Sequence, residues 1–546
     1  MPITSSYPSI LIPAADMWDF FIENNDREYP TDHVLYVDIK NKRESTLIDI
    51  KKAAERFGKG LLQHWDWHKG DVLALMTPNT PEVAAVTFGT LYAGGVVCPL
   101  NNLYTVDEAV SQLRLSKAKA FVTHRACLEV ARKAAAMAGL PDDHILLVDD
   151  EDLKRGFLHF SSITSDAAGF NKVETDPNTD LAFLVYSSGT TGSPKGVMLT
   201  HKNMVANTIQ YSSADPGSIE WKRDRVLGFL PMYHIYGLAV LILSPLYKGV
   251  STFIMERFDL ETFCGVIERE RITVAYIVPP VALALAKHPL IDKYNLRSLQ
   301  MLHSSAAPTS KEIIQAIYDR LGAPVKQGYG LSEASPGVAS QKLEDWNKPI
   351  GCSGRLIPNM SMKITHEGKE VQGHGKEGEL WIKGPNIFKG YYENPKATAE
   401  SIDSEGWYRT GDIGYIDDQE NIYITDRVKE LIKYNGFQVA PAQLEGLLIG
   451  HPAVADVAVI GIYSDQLATE LPRAYIVVAN GYERNESLKK ELQKWLHERV
   501  APHKRLRGGV RFVDAIPKSN AGKLLRRVLM EQAKMETSQE SIKARL

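Results

Sequence analysis

The chain has 546 residues, of which 44% are hydrophobic and 24% charged, and its net charge at pH 7 is −3. This length exceeds what one hydrophobic core usually organises, so we expect a globular protein with two or more domains. A nearly neutral chain lacks the overall basic field of nucleic-acid binders, which excludes that class and makes any phosphate site local. The four cysteines are widely spaced, and we interpret them as buried or incidental thiols.

Strands and helices alternate in the first part of the chain. The hydrophobic pattern predicts such elements at 71–76, 81–93, 96–98, 120–123 and 144–148. The alternation favours a mostly parallel sheet with helices on both faces. The apolar segments 83–106 and 237–255 are interrupted by glycine, proline or lysine, so we interpret them as buried elements and expect no transmembrane segment.

A loop rich in glycine and hydroxyl side chains follows the apolar run 181–185. Between residues 186 and 196 it contains three glycines, five Ser/Thr hydroxyls ahead of Pro194, and Lys195. Glycines let the backbone approach an oxyanion, hydroxyls and N–H groups donate hydrogen bonds, and the lysine adds positive charge. Pro194 distinguishes the loop from the P-loop, in which Gly-Lys-Ser/Thr opens a helix. The loop therefore predicts a phosphate site.

The second half of the chain contains three consecutive regions with different predicted secondary structure. Alternating strands and helices continue through 225–327, and the glycine-rich segment 351–390 favours antiparallel β structure. A short α+β unit follows, with elements predicted at 440–448, 454–462, 473–478 and 491–500. We therefore predict an N-terminal domain of residues 1–428 and a C-terminal domain of residues 429–546.

The loop resembles the signature of the adenylate-forming superfamily, which contains acyl-CoA synthetases, firefly luciferase and peptide-synthetase adenylation domains. Further motifs resemble this family in the family's order, at 327–333, 408–412, 426–429 and 517–523. The resemblance implies an α/β fold. It comprises a large N-terminal domain of α/β-sheet subdomains with a small β-barrel-like region, and a smaller, mobile α+β C-terminal domain.

The resemblance implies that ATP binds across these motifs. The loop would hold the β- and γ-phosphates through Ser187, Ser188, Gly189, Thr190, Thr191, Gly192 and Lys195. The base and ribose would contact Ala307, Gln327, Gly328, Tyr329, Ser332, Asp412 and Arg427. A carboxylate can accept both ribose hydroxyls, and a tyrosine ring offers a flat face to adenine. Ser332 keeps the hydroxyl of the threonine that the family most often has there.

Two further residues are implied to act at the phosphates. Glu333 would hold magnesium together with phosphate oxygens. Lys523 would bridge the substrate carboxylate and the α-phosphate, because a cation stabilises most where two anionic groups converge. Both are therefore predicted catalytic residues.

Residues 230–236 and 431–441 narrow the resemblance to the 4-coumarate–CoA ligase branch. Lys429 would be a hinge, and rotation about it would exchange Lys523 for the opposite face, which carries Lys433. His234 would close the acyl tunnel during adenylation and move aside for pantetheine. CoA would contact Arg257, Asn435, Gly436 and Gln438, with Asn435 replacing a lysine common in the branch.

The acyl pocket implied by the resemblance is lined by Tyr236, Val240, Ser305, Ala306, Pro336 and Val338. Ser305 stands where phenylpropanoid ligases often have glycine, and Val240 stands where they often have a small polar residue. We therefore expect a narrower, more apolar pocket and no hydroxycinnamate preference. Medium- or long-chain fatty acids, aryl acids and specialised-metabolite precursors stay open.

The implied activity is that of an ATP-dependent acyl-CoA ligase. It activates a carboxylic acid as acyl-AMP and transfers the acyl group to CoA, releasing AMP and pyrophosphate. The alternatives are an adenylation enzyme that loads a carrier protein, a luciferase-like oxygenase and a non-catalytic nucleotide-binding protein. The intact Lys523, Lys433 and Glu333 argue against the last alternative.

The final three residues, Ala544, Arg545 and Leu546, fit the small-basic-leucine pattern of a peroxisomal address. In a eukaryotic source we expect an import receptor to bind this tripeptide and the protein to be peroxisomal. In any other source we expect it in the cytoplasm.

Overall fold

A computed structural model describes residues 2–154, 156–167, 169–187, 194–371, 373–428, 430–435, 437–464, 467, 469–519 and 522–543. For Ser187, Gln438 and residues 537–543 it describes the backbone alone. The described strands form three large sheets, a hairpin and a smaller C-terminal sheet.

The first sheet is parallel except at one edge. Its strands lie in the order Gly390–Tyr391, Lys195–Thr200, Leu181–Ser187, Val96–Pro99, Val72–Met76, Ala118–Thr123, Ile145–Leu147 and Leu158–His159. Lys195–Thr200 pairs antiparallel with both of its neighbours, so the predicted phosphate loop joins the two strands of a hairpin. Val72–Met76 is buried along its whole length, as the continuous apolar run predicts for a strand covered on both faces.

The second sheet has a parallel centre and antiparallel edges. Its order is Arg355–Leu356, Gly337–Ser340, Val325–Gly330, Met301–Ser304, Val274–Ile277, Arg225–Gly228, Ser251–Ile254, Val34–Asp38 and Arg43–Thr46. The register aligns Leu302 with Val325 and Ser304 with Gln327. The residues that follow Met301–Ser304 therefore reach the same edge of the sheet as the end of Val325–Gly330.

The third sheet is antiparallel and open at its edges. Its order is Ile3–Thr4, Ser361–His366, Gly378–Lys383, Tyr408–Ile416 and Ile422–Arg427, with Lys369–Glu370 paired to Ser361–His366. It contains the antiparallel strands predicted for the glycine-rich segment and forms the β-barrel-like region that the resemblance implies, and its last two strands carry Asp412 and Arg427 opposite each other.

The described residues from 430 onward form what we call the C-terminal unit. It contains the hairpin Ile432–Tyr434 and Phe437–Val439, and a sheet of Val454–Ser464, Thr469–Val478 and Gly509–Phe512. Its helices are Pro441–Ile449, Glu486–His497 and Arg526–Lys543. The helix predicted at 491–500 begins earlier, because the Asn485 side chain accepts a hydrogen bond from the Leu488 N–H and caps the first turn.

The N-terminal helices cover the first two sheets. They occupy Leu47–His64, Glu82–Tyr92, Val106–Ser116, Leu128–Ala138, His201–Ala214, Leu260–Glu270, Pro279–Lys287, Lys311–Leu321 and Pro395–Ser401. A further helical run comprises Ile235–Gly237, Leu238–Leu243 and Ser244–Lys248, which follow one another without a break, and we call it the lining helix. None of the described helices is both long and apolar enough to cross a lipid bilayer.

Both faces of the first sheet are packed. Leu73 and Leu75 belong to the large core cluster on one side, whereas Val72, Ala74 and Met76 belong to a second cluster on the other side. The helix Glu82–Tyr92 is buried all round apart from its first residue. This burial explains why segment 83–106 is so apolar without spanning a membrane.

Candidate active site

A cavity of about 690 Å³ lies where the three large sheets and the C-terminal unit meet. Lys195 comes from the first sheet, Tyr329 from the second, Arg427 from the third and Lys523 from the C-terminal unit, and all four line it. Motifs that are far apart in sequence therefore line the same cavity.

A trio of two buried residues and the partly exposed Arg427 forms the part of the cavity next to the third sheet. The Tyr329 hydroxyl donates to Asp412 Oδ2 at 2.6 Å, and Arg427 Nε lies 3.0 Å from Asp412 Oδ1. Burial, and then the Asp412 charge, raises the pKa of Tyr329 well above its ordinary value, so the hydroxyl keeps its proton. The trio presents a carboxylate, a guanidinium and an aromatic ring, which are able to bind the hydroxyls of a ribose and the face of a base.

Glu333 and Lys195 are linked through Tyr391. The Tyr391 hydroxyl donates to Glu333 Oε1 at 2.9 Å, and Lys195 Nζ lies 4.8 Å from the centre of the Tyr391 ring. Burial raises the pKa of Glu333. Glu333 has no ion-pair partner within 4.0 Å in the described part of the chain, so this buried carboxylate is suited to a cation.

Contacts between the C-terminal unit and the rest of the chain hold Lys523 at the cavity. Lys287 Nζ donates to the carbonyls of Ile449 and Val454 at 2.9 and 3.0 Å. A Cβ on Gly522 would lie 3.1 Å from Pro280, so this glycine packs directly against the N-terminal helix Pro279–Lys287. These contacts hold the segment that carries Lys523 against the cavity wall.

His234 lines the cavity together with Lys523 and lies within reach of its charge. Burial, and secondarily the Lys523 charge, lowers the pKa of His234 to about 4. The ring is therefore neutral at pH 7, and its Nδ1 accepts the backbone N–H of Tyr236 at 3.3 Å. Burial, followed by the Arg427 charge, also lowers the pKa of Lys523. The cavity thus brings His234, Arg427 and Lys523 into one electrostatic environment.

The part of the cavity around Tyr236 contains a chain of hydrogen bonds. The Tyr236 hydroxyl lies 2.8 Å from His303 Nδ1, and the Tyr211 hydroxyl lies 2.8 Å from His303 Nε2. Burial lowers the pKa of His303 well below its ordinary value, so this histidine is neutral too. A Cβ on Gly328 would lie 2.7 Å from the Tyr211 hydroxyl, so a larger residue would displace the chain.

The structure brings together many of the predicted site residues but not all. Those that line the cavity are Lys195, His234, Tyr236, Val240, Ser305, Ala306, Tyr329, Ser332, Glu333, Pro336, Arg427 and Lys523. Asp412 is reached through its bonds to Tyr329 and Arg427. Ala306 adopts φ +75°, a strained backbone conformation for alanine, at this wall.

Other predicted site residues are not among the described residues that line the cavity. The Gln327 side chain accepts the Thr309 N–H and donates to the Cys352 carbonyl, so it fixes the turn containing Ala307. Val338 is fully buried behind the wall, and Gly328 contacts Tyr211. Arg257, Lys433 and Asn435 are exposed at the surface.

Several predictions fall where the structure is not described. They concern Ser188, Gly189, Thr190, Thr191, Gly192, Lys429, Gly436, Ala544, Arg545 and Leu546, and the side chains of Ser187 and Gln438. Their roles stay predictions.

Comparison with known proteins assigns the family. Residues 22–392 match the AMP-binding enzyme family, and residues 443–523 match the C-terminal domain of AMP-binding enzymes. The chain belongs to the AMP-binding enzyme family. The two matches include Lys195, Tyr329, Glu333 and Lys523 of the cavity wall, whereas Arg427 lies in the stretch between them.

Relatives of this AMP-binding enzyme match nearly all of its length. It is 38% identical to the probable 4-coumarate–CoA ligase 1 of Dictyostelium discoideum, with 97% of each chain covered. It is 38% identical to 4-coumarate–CoA ligase 2 of Nicotiana tabacum, with 96% of each covered. It also resembles ATP-bound MatB from Rhodopseudomonas palustris, with a TM-score of 0.83, 26% identity, and 94% and 99% coverage of this chain and that one.

Sequence reasoning about this AMP-binding enzyme missed some residues at the cavity. Tyr391 couples Glu333 to Lys195, and His303 joins two tyrosines. Neither belongs to a recognisable motif, and a lone aromatic or histidine in an apolar run is usually core. Lys248, Asp215 and Lys326 also line the cavity, and sequence reasoning did not place them at the site.

Proposed function

We propose that this AMP-binding enzyme is an ATP-dependent acyl-CoA ligase. It joins a carboxylic acid to the α-phosphate of ATP, releases pyrophosphate, and then transfers the acyl group from AMP to the CoA thiol. The observation that carries the proposal is the convergence of Lys523, His234 and the Asp412 trio on one cavity. The names of the curated relatives support the CoA-ligase assignment.

In the first half-reaction the protein supplies orientation and positive charge. Asp412 accepts the ribose hydroxyls, and Arg427 is held beside it by their ion pair. Lys523 stabilises the charge that develops as a carboxylate oxygen attacks the α-phosphorus and the bond to pyrophosphate breaks. Neutral His234 closes the wall next to Lys523 and adds no competing charge.

Glu333 is the residue of the cavity wall that is suited to binding magnesium. Glu333 is a buried carboxylate without an ion-pair partner within 4.0 Å in the described ranges, and magnesium at a nucleotide is commonly held by one or two carboxylates plus phosphate oxygens. When bound there, the metal would neutralise phosphate charge, and the Tyr391 hydroxyl would orient the carboxylate that holds it.

In the second half-reaction we assign the thiol step to another face of the C-terminal unit. Lys433 is exposed, and its backbone N–H donates to Glu470 at 2.7 Å in the hairpin that follows the hinge. We place the domain boundary near residue 428, with Lys429 as the hinge. Rotation there withdraws Lys523 and presents Lys433, together with Gln438, Gly436 and Asn435, to CoA.

The activity can be tested without knowing the acid. The full-length protein is incubated with ATP, magnesium and a panel of carboxylic acids, and pyrophosphate release identifies the acids that it activates. CoA is then added, and mass spectrometry detects the thioester. Pyrophosphate release with no thioester for any acid would indicate carrier-protein loading, and no release at all would refute the enzyme assignment.

We predict that Val240→Ala widens the acyl pocket. Val240 lines the cavity, and loss of its methyl groups should raise kcat/KM for bulky aryl acids over slender chains by at least about 10-fold, since apolar pockets discriminate at the methylene scale. Ser305→Gly should act in the same direction. Val338→Ala is the matched control, because Val338 is buried outside the described lining. Equal specificity in all three variants would contradict the pocket assignment.

We also propose that Ala544, Arg545 and Leu546 direct peroxisomal import in a eukaryotic source. Deletion of the tripeptide should leave ligase activity intact and make a fluorescent fusion cytosolic in microscopy, because the receptor reads the free terminus. Exchange of the tripeptide for Ser-Lys-Leu should preserve punctate fluorescence. Unchanged punctate fluorescence after the deletion would rule out this signal.

A further inference from the structure

The cavity continues beyond the acyl-binding residues to a charged end. Lys248 stands at the end of the lining helix, Asp215 follows the helix His201–Ala214, and Lys326 lies near the start of the strand Val325–Gly330. All three residues line the same cavity as Lys523. Three walls thus each contribute a charged residue to one end.

Helix geometry places this end far from the reacting carboxylate. Tyr236, Val240, Ser244 and Lys248 recur every four residues and line the cavity, so one face of the lining helix forms the wall. His234 and Lys248 are fourteen positions apart, and because the central segment Leu238–Leu243 is a π-helix, which rises less per residue than the 1.5 Å of an α-helix, the axial distance is slightly below about 20 Å. His234 and Lys523 both line the cavity at the start of this helix, where the Lys523 charge acts on the imidazole, so Lys248 at the last turn lies toward the other end.

Two of the three charged residues at this end form an ion pair. Lys326 Nζ lies 2.5 Å from Asp215 Oδ2, and that oxygen also accepts the Leu343 N–H at 3.0 Å. The pair is nearly buried, with side-chain exposures of 4% and 12%, and its two charges compensate each other.

Lys248 is the unmatched charge. Among the described residues, it has no ion-pair partner within 4.0 Å. The carboxylates whose charge reaches it are Glu28, Asp215 and Glu220, of which Glu28 and Glu220 are exposed and Asp215 pairs with Lys326. Lys248 is half-buried in the cavity wall, and an ammonium group withdrawn from water is costly unless an anion or hydrogen-bond acceptors satisfy it.

We propose, on the basis of the ligase function above, that Lys248 binds a second carboxylate at the far end of the substrate. The preferred acid is then an elongated dicarboxylic acid whose carboxylates lie roughly 10–15 Å apart, the helix span less the reach of the lysine side chain. One carboxylate reacts beside Lys523, and the other pairs with Lys248. Ser244 and Tyr276, which also line the cavity, offer hydroxyl donors near that end.

The pairing discriminates between acids of equal length. A carboxylate accepts a charge-assisted hydrogen bond from Lys248, whereas a terminal methyl group leaves the ammonium unsatisfied. A charged hydrogen bond of this kind corresponds to a preference of about 10- to 100-fold. Because the contact lies far from the reacting atoms, it should act mainly on KM and leave kcat nearly unchanged.

Three acids provide the test: dodecanedioic acid, dodecanoic acid and ω-hydroxydodecanoic acid. We expect the full-length enzyme to prefer the dicarboxylic acid in kcat/KM. Lys248→Met should lower the ratio of dicarboxylic to monocarboxylic acid by about 10- to 100-fold through KM, and Lys248→Arg should retain part of the preference. Lys222→Met is the control, because Lys222 is exposed in the same region and absent from the described lining.

Thermal melting and turnover of dodecanoic acid show whether each variant is folded. A preference of the unmodified enzyme for dodecanoic acid, or an unchanged ratio in folded Lys248→Met, would overturn the inference. An equal preference for the ω-hydroxy acid would overturn the assignment to a carboxylate. If dodecanoic acid forms a CoA thioester in these cases, the proposed function stands; if no acid in the screen forms one, the ligase function itself fails.

Discussion

Lys523→Ala should slow ATP–pyrophosphate exchange about 10²–10³-fold, the range observed when one preorganised electrostatic group is lost. The segment that carries Lys523 packs on the helix Pro279–Lys287, so the ammonium group is held beside His234 before substrate arrives. Alanine removes the charge and leaves the packing of Gly522 unchanged. The measurement is exchange of labelled pyrophosphate into ATP at saturating acid.

The same variant should convert chemically supplied acyl-adenylate to thioester at close to the normal rate, because Lys523 is assigned to the first step alone. Arg527→Ala is the matched control, since Arg527 is exposed at the surface and pairs with Glu531 at 3.2 Å. Equal loss in both half-reactions would contradict the assignment, and so would normal pyrophosphate exchange.

Lys433→Ala should produce the reverse pattern. We expect adenylate formation to stay near normal and thioester formation from supplied acyl-adenylate to fall about 10²-fold, the loss typical of one preorganised charged group. Lys433 is exposed and lies outside the described cavity lining, so it contributes only after the C-terminal unit rotates. Rapid-quench measurement of thioester from preformed acyl-adenylate separates this step from the first.

The control for that experiment is Lys494→Ala, which removes a highly exposed lysine from the same unit. Its two half-reactions should match those of the unmodified enzyme. Slowed adenylation in Lys433→Ala would refute the division of labour between the two lysines, and so would undiminished thioester formation.

The sequence by itself determined the fold class and much of the nucleotide site. Alternating apolar segments predicted the strands Val72–Met76 and Val96–Pro99 with the helix Glu82–Tyr92 between them, because backbone hydrogen bonding and burial impose distinct periods on strands and helices. Motif residues such as Asp412, Arg427 and Lys523 could be found because their chemistry restricts residue type and local spacing. Their order along the chain was enough to identify the resemblance.

The tertiary structure decided which side chains meet. The Tyr391–Glu333 hydrogen bond joins residues 58 positions apart, and the Lys326–Asp215 pair joins residues 111 apart. Local sequence carries no signal of such contacts, since they depend on how sheets and helices pack. The sequence pattern therefore did not predict the charged end of the cavity. In that pattern Lys248 is an interruption of the apolar segment 237–255. Only packing of the lining helix against the second sheet turned that lysine into a cavity residue, because helix periodicity directs every fourth side chain to the same wall.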